Sequence, residues 1–159
     1  MRWHKEIYAD LIGVLLIGPA YVSSLFDVVG KAPERVARFS SSGVHPTSYV
    51  RPLINTELLR RIGFAKQADA FDSAWLGVYP PEVPNRLPAA LRDSFPVAVR
   101  ETVAALCFQP HKAYGGRKLV EVVRFRPQDE TIVREAADRL GAGGNPGIVP
   151  ERFLISAAR

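Results

Sequence analysis

The chain is short of cysteine, short of histidine and without a hydrophobic run long enough to cross a bilayer, and each shortage removes a class of function. Cys107 is the only cysteine among 159 residues, so no internal disulfide can close and no cysteine-based zinc site can form. It sits in the apolar run Val103-Ala-Ala-Leu-Cys107-Phe108 with no His or Lys close in sequence, which reads as a small buried hydrophobe and not an activated thiolate. A reducing compartment is therefore permitted, and the location expected is cytoplasmic. The uncharged stretch from Leu11 to Phe26 stops short of the ~17–25 residues that span a membrane, and Gly13, Gly18, Pro19 and two serines interrupt it. Arg2, His4 and Lys5 precede it as in a secretory signal, but Glu6 and Asp10 fall where the apolar core should begin and no small-residue cleavage site follows cleanly. The expectation is a buried helix and no transmembrane span, with peripheral membrane contact left open. The chain has no internal repeat and no low-complexity tract.

What is present is ordinary globular composition, 47% hydrophobic and 23% charged, in a length that suits one domain with a real core and is short for two. The excess of 21 basic over 16 acidic residues gives a formal charge of +5, but the cations lie beside acids or scattered along helical segments. That distribution argues against nucleic acid as a partner, because a nucleic-acid footprint gathers cations on one face. An anion- or nucleic-acid-binding surface would need Arg60, Arg61, Lys112, Arg117 and Lys118 together.

Periodicity predicts an all-α, or nearly all-α, helical bundle-like domain around a buried N-terminal helix. Apolar residues cover nearly every face from Trp3 to about Val29, and Pro19 should break that helix after Gly18. A short amphipathic piece follows at Pro33 to Phe39, then a loop through 40–43. The next helix spans Tyr49 to Ile62, with Thr47 or Ser48 as its cap and Gly63 as its stop. Lys66 to Leu76 is amphipathic, and the proline-dense Tyr79-Pro-Pro-Glu-Val-Pro-Asn85 is an extended loop. Pro96 to Phe108 reads as a helix opened by Ser94, with Pro at its start. Gln109 to Lys118 is a loop, Leu119 to Phe125 a short strand or helical turn, and Asp129 to Leu140 a helix stopped by Gly141. The Tyr49 helix should cross the Trp3 helix, and the Pro96 and Asp129 helices should form a second layer. The expected division is a helical core portion, 1–78, with a helical extension, 79–159, packed on it.

The residues that carry chemistry lie near the front. Glu6-Ile-Tyr-Ala-Asp10 sets two carboxylates at i and i+4, on one face of an otherwise apolar helix. Burying both demands a compensating cation, either a metal ion or an arginine. The alternative is that both occupy a solvated stripe beside Arg2 and Lys5. Further on stands His45-Pro46, with Arg51 six residues after the histidine.

The order Glu-x-x-Ala-Asp, an apolar helix containing Gly and Pro, then His-Pro followed by Arg, resembles the C-terminal half of the gluzincin zinc peptidases, of the CAAX prenyl protease and HtpX type. The resemblance covers about the first third of the chain. It implies that Glu6 is the third zinc ligand and that Asp10 is the carboxylate orienting a zinc-bound histidine. It makes His45 a stabiliser of the tetrahedral intermediate and Arg51 the link to the acidic motif, in an enzyme that hydrolyses peptide or protein substrates. Catalytic zinc keeps three protein ligands and one open position for water, and His₂Glu is an established set. The family's other two ligands and its general base come from a His-Glu-x-x-His helix. Here the histidines are His4, His45 and His111, no two of them four apart, so neither those ligands nor the base has a counterpart. The expectation is a metallopeptidase-like portion whose missing helix lies upstream of Met1, with zinc held by the complete parent domain and little or none by this chain. An abrupt helical start at 150–159 leads to the same expectation of an interior fragment. The alternatives are a non-catalytic helical interaction module, with Glu6 and Asp10 paired to Arg51, and an anion- or nucleic-acid-binding domain.

Overall fold

The computed structural model describes residues 3–40, 43, 45–80, 82–83 and 87–159. Among them the chain forms nine α-helices and no strand, the one extended pairing being an isolated antiparallel bridge between Pro110 and Lys118. The all-α expectation therefore holds. None of the described helices is long and apolar enough to cross a membrane.

The first helix, α1 (His4–Ile17), ends where expected, and α2 (Pro19–Val29) follows after one residue. Gly18 takes φ 64°, and its N–H closes on the Val14 carbonyl at 2.8 Å. A Cβ at that position would lie 2.2 Å from the Phe125 ring, so both backbone angle and space demand glycine. Pro19 then stands at the first position of α2, where its missing N–H costs nothing.

After α3 (Pro33–Val36) the chain returns to α4 (Val50–Arg61). The expected cap on α4 is not made. The cap position falls on Tyr49, already helical (φ −59°, ψ −42°) and without a capping oxygen, so Thr47 and Ser48 stand too early to cap. Instead the Thr47 hydroxyl and the Tyr49 N–H both donate to the Val36 carbonyl, at 3.0 and 3.1 Å, fastening the start of α4 to the end of α3. Gly63, at φ 106°, ends α4 as expected. Next come α5 (Ala65–Val78) and α6 (Ala89–Val103). Parts of the proline-dense loop and of the 40–43 loop lie outside the described residues.

The start of α6 departs from expectation. It opens at Ala89 behind Pro88, so Ser94 and Pro96 sit in its body, and the Ser94 hydroxyl donates to the Leu91 carbonyl at 2.6 Å instead of capping. An interior proline weakens a helix by about 3 kcal/mol. Phe95 and Val99, buried on the two sides of Pro96, offset that by packing. Past Val103 the helix widens into a π turn, Ala104–Phe108, that buries Cys107 completely. A 3-10 turn (Lys112–Tyr114) shapes the next loop, and α7 (Leu119–Val122) is a helical turn and not a strand. In α8 (Pro127–Gly141) Gly141 is the last helical residue, and the left-handed position falls on Gly143; α9 (Glu151–Ala157) follows.

The buried α1 shares the centre with α4, which packs against α1, α2, α5 and α6. The anticipated second layer of α6 with α8 gives way to different partnerships: α6 leans on α4, whereas α8 leans on α9 and α9 on α1. Phe64, Phe125 and Phe153 are buried in series, with ring centroids 5.7 and 5.6 Å apart. One hydrophobic cluster thus runs from Leu11 to Ala157, through both 1–78 and 79–159.

Candidate functional site

The pitch of α1 sets Glu6 and Asp10 one turn apart, and the crossing of α4 decides their fates. Asp10 is 2% exposed, inside the protein and away from any solvated stripe. Arg51, in the first turn of α4, meets it with two parallel bonds, Nε to Oδ2 and Nη2 to Oδ1, both 2.8 Å. The Tyr21 hydroxyl, reaching back from α2, donates a third bond to Oδ1 at 2.8 Å. This planar two-point pairing suits guanidinium and carboxylate, and it supplies the compensation that a buried charge requires. Both Tyr21 and Arg51 have raised pKa values. Burial leads for Tyr21, with the bond to Asp10 adding to it; for Arg51 the bond to Asp10 leads, against the opposing effect of burial.

Glu6 has a different environment. Its side chain is 37% exposed, and Oε2 lies 3.3 Å from Nδ1 of His45, whose own side chain is 64% exposed. His45 arrives on the segment that the Thr47 and Tyr49 bonds tie to α3. The four residues singled out in the sequence, Glu6, Asp10, His45 and Arg51, therefore come together as two adjacent pairs. The arginine binds Asp10 alone; Glu6 takes the histidine, so the expected pairing of both carboxylates to Arg51 is corrected to one. His4 is exposed, and His111 contacts the Ala105 carbonyl at 3.0 Å through Nε2, so neither joins the cluster.

Sequence reasoning missed Tyr21 and Gly13. A Cβ at Gly13 would lie 2.2 to 2.6 Å from three atoms of the Tyr21 ring, so this glycine lets the ring lie across α1 and reach Asp10. A glycine inside an apolar helix is the signal that points to such an approach. Asn55, fully buried one turn after Arg51, donates from Nδ2 to the Arg51 carbonyl at 2.8 Å, while its Oδ1 has no hydrogen-bond partner.

Among the described residues no group of three or more His, Cys, Asp or Glu side chains is placed to hold a metal ion. A zinc site needs three protein ligands, so these residues alone do not fit one. The cations considered for an anion surface are mostly engaged. Arg60 binds Asp69 and Asp72 at 2.8 and 2.9 Å, Arg61 binds Glu57 at 2.7 Å, and Lys118 lies 3.9 Å from Glu121. No family model matches this sequence, and no curated protein or solved structure matches it.

Proposed function

We propose that this chain supplies the carboxylate-bearing half of a gluzincin-type zinc peptidase site and hydrolyses no peptide bond by itself. The observation that carries the reading is the convergence of four residues set apart in sequence: Glu6 beside His45 at 3.3 Å, with Asp10 locked to Arg51 one helical turn away. In this reading Glu6 is the third zinc ligand and His45 the group near the developing oxyanion. The bidentate pair holds α1 and α4 at the angle that keeps those two side by side. Two histidines and a general base must come from a His-Glu-x-x-His helix outside these residues.

The DNA upstream of the Met1 codon, read in the same frame, tests the proposal. An open frame encoding His-Glu-x-x-His on a helical stretch is the expected result. A stop codon directly upstream, with no such helix encoded, would overturn it. A second reading, a non-catalytic helical interaction module, is favoured by one observation: Arg51 and Tyr21 satisfy Asp10 without any metal.

A further inference from the structure

Leu53, Glu57 and Arg60 lie on α4 about half a turn round from Arg51, on the side away from Asp10. There a groove of about 370 Å³ opens between α4, α5 and α6. Its volume is that of a small-molecule site, roughly 300–1,000 Å³. The floor is apolar: Tyr49 and Phe95 stack with centroids 6.3 Å apart and planes 23° from parallel, flanked by Leu53 and Val99. Groups of both charges rim it, and the acids are already ion-paired. Asp72 accepts from the Thr56 hydroxyl at 2.6 Å and from Arg60 at 2.9 Å, and Glu57 accepts from Arg61 at 2.7 Å and lies 3.6 Å from Arg60. Those contacts, with Asp69, also occupy Arg60. Arg100, facing the groove from α6, forms no ion pair among the described residues, although its backbone carbonyl accepts from Arg61.

An uncompensated guanidinium at the edge of an aromatic floor selects a particular chemistry. A cationic ligand would meet only carboxylates already ion-paired with Arg60 or Arg61 and would be repelled by Arg100. A neutral apolar ligand would leave Arg100 as it is in water. A ligand with an apolar body and one negative charge uses both features. We propose that this groove binds a small amphiphilic carboxylic acid as its anion, with the apolar part on Tyr49 and Phe95 and the carboxylate at Arg100. The site uses none of Glu6, Asp10, His45 or Arg51, so it does not depend on the zinc reading.

Isothermal titration of the 159-residue protein with sodium decanoate, and separately with decylammonium chloride, both below their micellar thresholds, tests this. Decanoate should saturate at one per chain and bind at least about tenfold more tightly than decylammonium, the preference that a charge reading predicts. Arg100→Glu should weaken decanoate on the order of tenfold, whereas Arg134→Glu, a charge reversal on α8, should leave it unchanged. Leu53→Trp, which fills the groove, should remove binding with circular dichroism and melting unchanged. If Leu53→Trp unfolds, Arg100→Glu still decides. Decanoate that fails to saturate, that binds no better than decylammonium, or that binds Arg100→Glu as tightly as the parent would overturn the proposal.

Discussion

Glu6 and Asp10 share a helix and a chemical group, stand one turn apart, and live in different dielectrics. Asp10 is sealed between α1, α2 and α4 and accepts three hydrogen bonds, two from Arg51 and one from Tyr21. Glu6 stands at the edge with one loose histidine contact and more than a third of its side chain in solvent. The contrast separates two jobs that spacing alone would assign to both. A buried, fully paired carboxylate holds elements in place and has little left to offer a ligand. A half-exposed, singly contacted carboxylate adds little to stability and is free to bind something else.

The contrast can be broken most severely at the buried pair. Asp10→Ala leaves the Arg51 guanidinium largely buried without its partner, and Arg51→Ala does the same to Asp10; each should destabilise the fold by about 3–5 kcal/mol in urea unfolding. A loss below 1 kcal/mol would show that solvent reaches the pair. Gly13→Ala comes next, at about 1–3 kcal/mol, because the new methyl must displace the Tyr21 ring. Tyr21→Phe removes only the hydroxyl and should cost about 1.5 kcal/mol, the lower end for a bond to a charged acceptor.

The same hydroxyl contributes to alkaline behaviour. Its folded pKa lies above the ordinary 10.0, so its contribution is whole below about pH 10 and is lost as the pH rises through the folded value. Tyr8, raised to about 12 chiefly by its hydrogen bond to the Tyr114 hydroxyl, and Cys107, raised to about 12 by burial, act in the same direction. Stability should therefore fall on the alkaline side, less steeply in Tyr21→Phe than in the parent. The smallest effect belongs to Glu6→Ala, which should change stability by no more than about 0.5 kcal/mol, because exposed pairs contribute little. A large loss there would erase the distinction between the two carboxylates.

Local chemistry made part of this legible in the sequence. Gly18-Pro19 marks a break because only glycine takes the left-handed turn there and proline opens the next helix without penalty. The i, i+4 spacing placed Glu6 and Asp10 on one face, and the Gly63 stop followed from its position. What stayed hidden depends on contacts distant in sequence. Which carboxylate is buried is decided by the line along which α4 crosses α1. The reach of Tyr21 back over Gly13 follows from the angle at Gly18. The beginning of α6 was misjudged because Pro96 looks like a helix start, whereas the burial of Phe95 and Val99 carries the helix through it. The neutralised acids and open Arg100 of the α4–α6 groove likewise come from packing between helices.

The proposal makes Glu6 a metal ligand in waiting, whereas the bonds from Arg51 and Tyr21 make Asp10 structural. The most direct measurement is the zinc content, by elemental analysis, of the 159-residue chain joined to whatever the same reading frame encodes upstream of Met1, beside its Glu6→Gln form and the 159-residue chain alone. The account predicts one zinc per longer chain, loss of that zinc in Glu6→Gln with the fold intact, and no stoichiometric zinc in the 159-residue chain. Zinc retained by Glu6→Gln, tight zinc in the 159-residue chain, or a longer protein without zinc would contradict it.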